Sequence, residues 1–121
     1  MSFDEVHYQR ISKRLAQAVG YLEFGMPGHA LERLEGLGEL GPLEAEVEMV
    51  RGEALQCQHR YDDAAASLKN AARKAPSPRN RAAWLALSMC YRQAGDTDRA
   101  IQSLANARGA MADNLKQKPL F

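Results

Sequence analysis

Apolar residues recur at helical intervals along most of the chain, in paired runs separated by short polar or glycine-containing breaks. The clearest pair is RAAWLALSMCYRQAGDTDRAIQSLANAR, from Arg81 to Arg108, broken at Gly95-Asp96. Upstream, a first helix is predicted from near Phe3, where Ser2-x-x-Glu5 reads as a capping box, to about Phe24. Gly25-Met26-Pro27-Gly28 turns the chain into a short helix from His29 to Leu37, closed by Gly36, Gly38 and Gly41. Pro42 opens a helix that passes Gly52 and ends near Gln58. After a turn at His59-Arg60, Tyr61-Asp62-Asp63 opens another, with acid early and base late as the helix dipole prefers. The Pro76-Ser77-Pro78 linker precedes the last pair, whose second helix can continue past Gly109 on the face of Met111 and Leu115.

The pairs repeat. Ala-x-x-x-Leu recurs as Ala30 with Leu34, Ala64 with Leu68 and Ala100 with Leu104, at steps of 34 and 36 residues. Pro42 and Pro76 each lie twelve residues beyond their alanine, at the junction between one pair and the next. Within the last pair, Trp84, Leu87, Ser88 and Tyr91 form one helical stripe: large, leucine, small, aromatic. Small Ser88, Ala100 and Ala107 let the two helices approach closely, and Trp84, Leu87, Tyr91, Ala100 and Leu104 read as packing. This stretch resembles a tetratricopeptide repeat, whose period is about 34 residues. The resemblance implies an all-α, right-handed α-solenoid of three helix-turn-helix repeats at about 11–42, 45–78 and 81–114, in a single domain over 1–121 with a flexible tail at 115–121. Repeats one and two depart from the pattern: Arg14 and Gln17, then Glu48 and Arg51, stand where the large residue and the leucine belong.

Composition narrows the function. A net charge of +1 gives no global field toward nucleic acid or membrane. The basic stretch from Arg60 to Arg81 has only Tyr61 to stack a base. No apolar run is long enough to span a bilayer, and MSFDEVHYQR lacks the features of a secretion signal, so a cytoplasmic protein is expected. Cys57 and Cys90 have no metal-binding spacing and read as reduced, partly buried thiols. His7, His29 and His59 are scattered over different helices, and the glycines follow no phosphate-binding order. No catalytic residue, metal site or cofactor is predicted.

What the resemblance implies about function lies in the concave groove lined by the first helix of each repeat. By alignment this stripe is Ser12, Leu15, Val19 and Leu22; then Glu46, Met49, Glu53 and Gln56; then Ala82, Leu85, Met89 and Arg92. The partner-binding residues singled out are Leu15, Val19, Leu22, Met49, Glu53, Leu85, Met89 and Arg92. One tetratricopeptide subgroup clamps C-terminal carboxylates with cations; the positions here are Leu15, Val19, Val50, Ala82 and Ala86, so that function is excluded. An apolar groove with methionines suits an apolar peptide or helix of another protein, a role similar in outline to the small tetratricopeptide chaperones of secretion systems. The competing reading is that the stripe is core, or is covered by the chain's own tail. A different alternative is a structural module that dimerises through an uncapped apolar solenoid end at Ile101, Leu104 and Met111.

Overall fold

Asp4 starts the first helix, its carboxylate accepting the backbone N–H of His7 at 2.7 Å. The computed structural model describes residues 4–117, with side chains through Ala110; Ser2, expected to supply that cap, lies outside the described residues. Helix α1 runs Glu5–Glu23 and α2 runs Pro27–Arg33. A 3-10 turn at Gly41–Leu43 leads into α3, Glu44–Cys57. Then come α4, Tyr61–Lys74; α5, Arg81–Gln93; and α6, Thr97–Gln117. Among the described residues there is no strand. Helix α6 thus continues three residues into the stretch expected as a tail; residues 118–121 lie outside the described residues.

The three intra-pair turns are built alike. Gly25, His59 and Gly95 occupy the same repeat position, and all three have left-handed backbone, with φ of 72°, 61° and 84°. At each, the left-handed residue's N–H reaches back three residues and the next N–H reaches back five. The pairs are Gly25 to Leu22 and Met26 to Tyr21, His59 to Gln56 and Arg60 to Leu55, Gly95 to Arg92 and Asp96 to Tyr91. These bonds satisfy the last carbonyls of α1, α3 and α5 in the Schellman arrangement.

Helices pack as three antiparallel hairpins, α1 with α2, α3 with α4 and α5 with α6, and each hairpin rests on the next through α2 on α3 and α4 on α5. The repeated alanines sit at the closest approaches: Ala18, Ala30 and Ala64 are fully buried, and Ala100 and Ala107 nearly so. Gly52 and Ser88 share the small position. Ser88 Oγ donates to the carbonyl of Ala100 at 2.8 Å, so α5 is tied to α6 where the two backbones nearly meet. Buried side chains form three adjoining clusters, joined by Leu31 between the first and second and by Met49 and Trp84 between the second and third.

Helix α2 is shorter than the predicted His29–Leu37, and the departures from the repeat pattern explain why. Arg14 Nε donates to Arg33 O at 2.8 Å and its Nη2 to Glu35 O at 3.2 Å. Arg10 donates to Leu37 O at 3.0 Å, and Arg51 reaches Leu34 O at 3.4 Å. These guanidinium groups take the carbonyls that a longer helix would have satisfied internally. Gly36 and Gly38, both at positive φ, turn the chain away. Arg51 is also paired with Glu48. Arg14, Glu48 and Arg51 thus spend their polar ends on the end of α2 rather than on the packing that Trp84 and Leu87 perform in repeat three.

Leu104, read from sequence as packing, is corrected. Its counterparts Leu34 and Leu68 are buried, Leu34 among Val47, Val50 and Ala54 of α3, and Leu68 against Leu87 and Cys90 of α5. No described helix follows α6, and Leu104 is 37% exposed with Ile101 61% exposed. Cys57 is also exposed rather than partly buried, while buried Cys90 donates to Tyr61 O at 3.4 Å.

Candidate partner-binding face

Helices α1, α3 and α5 lie side by side. The residues aligned on their shared face divide into two kinds. Leu15 and Leu22 are half-buried and pack against the first core cluster, and Met49 packs against the second and third beside Trp84. Leu85 and Glu53 are half-buried. Val19 and Met89 are open to solvent, at 38% and 52% exposed, and Arg92 is exposed as well. Burial therefore assigns Leu15, Leu22 and Met49 partly to core and leaves Val19 and Met89 as the free apolar surface. The stripe is neither all core nor all groove.

Two features mark the face between α3 and α5. Gln56 Nε2 donates to Gln93 Oε1 at 2.7 Å, bridging the C-terminal ends of the two helices. At their N-terminal ends an open cleft of about 380 Å³ is lined by Glu46, Met49, Ala82 and Ala83 together with Ala71, Lys74 and Arg79. Its floor is apolar and its rim is charged. Glu46, Met49 and Ala82 were legible as groove positions; Ala71, Lys74 and Arg79 were not. They come from the end of α4 and the linker, and only the stacking of one hairpin on the next brings them to the face. The Pro76-x-Pro78 junction was the one sequence signal of a break there.

Electrostatics distinguish the acidic residues of α3. Glu44 pairs with Lys74 of α4 at 3.4 Å, and Glu48 with Arg51. Glu53 has neither an ion pair nor a hydrogen bond among the described residues, and burial pushes its carboxyl above the usual carboxylate range. A smaller hollow of about 270 Å³ at the other end of the molecule is lined by Gln17, Gly20, Tyr21, Arg33 and Phe24, the last 83% exposed. No pattern in the sequence marked Phe24 as a surface residue.

The histidines stay apart: His7 Nε2 donates to Glu39 O at 2.6 Å, His29 lies 3.8 Å from Glu32, and His59 Nδ1 lies 2.7 Å from the Tyr61 hydroxyl. Among the described residues no group of His, Cys, Asp or Glu is placed to hold a metal ion, and no helix is long and apolar enough to cross a membrane.

A tetratricopeptide repeat family model matches residues 49–114, more than half of the chain and the part in which the paired-helix pattern is most regular. The chain belongs to the tetratricopeptide repeat family. The match begins within α3, beyond the departures at Arg14, Gln17 and Glu48, and takes in the α3–α4 and α5–α6 hairpins. No curated protein matches the chain. Tetratricopeptide repeats generally mediate protein–protein interaction and are typically non-catalytic, and the helices, turns and packing alanines described above are the parts of that repeat.

Proposed function

We propose that this tetratricopeptide protein is a cytoplasmic scaffold, adaptor or chaperone-like module. It holds an apolar peptide or helix of a partner protein in the concave face of α1, α3 and α5, against Leu15, Val19, Leu22, Met49, Glu53, Leu85, Met89 and Arg92. The observation that carries this reading is the open cleft in which three aligned positions, Glu46, Met49 and Ala82, line one apolar-floored space; Met89, further along α5 at another aligned position, stands exposed. Burying an exposed Met or Val side chain contributes roughly 1.5–3 kcal/mol before ordering costs. The test is Met89→Glu, which alters a side chain standing in solvent and leaves the packed Met49 intact. Capture of a bound partner should be lost while thermal stability is unchanged; retained capture would place the site elsewhere.

A second reading is supported by the exposure of Ile101 and Leu104, whose counterparts in the preceding repeats are covered by the next helix. On this reading the end of the solenoid takes a second copy of the chain. The expected Met111 contribution lies outside the described side chains. Light scattering over a concentration series decides it: a dimer dispersed by Ile101→Glu supports self-association, and a monomer at tens of micromolar ends it.

A further inference from the structure

We propose that the groove face reads a positive charge. Its occupant is an extended segment with a Lys or Arg between two apolar residues, the cation on Glu53 and the apolar side chains on Val19 and Met89. The inference rests on the groove reading above and adds the chemistry of the partner.

Val19, Glu53 and Met89 stand 34 and 36 residues apart, the steps of the repeat, so they occupy one position in three successive repeats. They form a row across α1, α3 and α5. The outer two are apolar and exposed. The middle one is a half-buried carboxylate with no cation or donor to compensate it among the described residues. Elsewhere on α3, Glu44 and Glu48 are paired, and Glu46, likewise without an ion pair among the described residues, stands at the rim of the cleft beside Lys74 and Arg79. A half-buried carboxylate without a partner costs stability, and an arriving Lys or Arg would remove that cost. Arg92, one turn further along on α5, makes no ion pair with it.

Geometry sets the spacing of the occupant. Packed helices lie about 8–10 Å apart. A polyproline-II segment advances about 3.1 Å per residue with three residues per turn, so residues three apart point the same way about 9 Å from one another. The matching motif is apolar-x-x-(Lys/Arg)-x-x-apolar. The arrangement reverses the polarity of a cationic clamp that reads a carboxylate.

The experiment is selection of a displayed library of random twelve-residue peptides on the full chain, followed by binding of the best peptide to variants. Enrichment of Lys or Arg three residues from apolar residues on both sides is expected. Affinity should fall about tenfold for Glu53→Gln, the size of one charge-assisted hydrogen bond. Binding should recover on Glu53→Lys when the peptide's Lys or Arg is replaced by Glu. Circular dichroism confirms that both variants are folded. Peptides lost on Met89→Glu but lacking a basic preference, or binding Glu53→Lys unchanged, overturn this inference and leave the groove reading standing. Peptides that bind Met89→Glu as well as the wild type, or no enrichment at all, overturn both.

Discussion

Gly52 lies so close beneath Leu68 that one added methyl group would stand 2.6 Å from the leucine's Cγ and Cδ2. Leu68 is fully buried, so it has no open space into which to swing. Gly52→Ala therefore overpacks the α3–α4 contact, at about 1–3 kcal/mol, against a gain of about 1 kcal/mol in helix propensity. The net effect is destabilising. At the same repeat position Ser88 already accommodates a side chain, and Ser88→Ala removes only its bond to Ala100 O, a loss of about 0.5–1.5 kcal/mol. Urea unfolding of the two variants checks this, and Gly52→Ala combined with Leu68→Val should recover part of the loss.

His59 does with an ordinary side chain what Gly25 and Gly95 do without one, since all three are left-handed at the end of their helix. His59→Gly should stabilise the chain by about 0.5–1 kcal/mol, because the left-handed region opposes a Cβ and not a glycine. Its exposed contact with the Tyr61 hydroxyl offsets a small part of the gain. A rise in thermal midpoint is the expected readout. A fall would mean that this contact outweighs the backbone strain.

Leu68 and Leu104 share a repeat position but not an environment. Leu68→Ala should cost about 2–5 kcal/mol, as for a buried leucine, and Leu104→Ala no more than about 1 kcal/mol. Chemical denaturation at low protein concentration measures both. A Leu104→Ala penalty that grows with protein concentration would instead report a covered end and support self-association.

Glu53 makes stability depend on pH in a defined direction. Its carboxyl is raised in the folded state, so its contribution is fully present below the ordinary carboxylate pKa and is lost as pH rises through the raised value. At neutral pH the ionised group is therefore a liability. Glu53→Gln should unfold at a higher temperature than the wild type at pH 7, with the difference shrinking below about pH 4. A variant that is more stable yet binds its partner less well separates a reading residue from a structural one.

Much of this protein follows from period alone. The recurrence of Ala30, Ala64 and Ala100 with their leucines, and the prolines at the junctions, determined the helix pairs, their number and the family, because a 34-residue repeat of small and large apolar positions can bury its faces only by stacking. Helix boundaries were legible to within a few residues wherever glycine or proline marked them.

Three matters were decided only by tertiary structure. The arginines Arg10, Arg14 and Arg51 end α2 early by capturing the carbonyls at and just beyond its last turn across 17 to 27 residues of sequence, a long-range competition that local propensity does not contain. The division of the predicted face into packed Leu15, Leu22 and Met49 and open Val19 and Met89 depends on what the neighbouring hairpin covers. Leu34, Leu68 and Leu104 carry the same residue at the same position, and their different burial comes from whether another helix among the described residues packs over them. Repetition in sequence specified the unit; the neighbours of each unit decided which of its side chains are core and which are left to meet a partner.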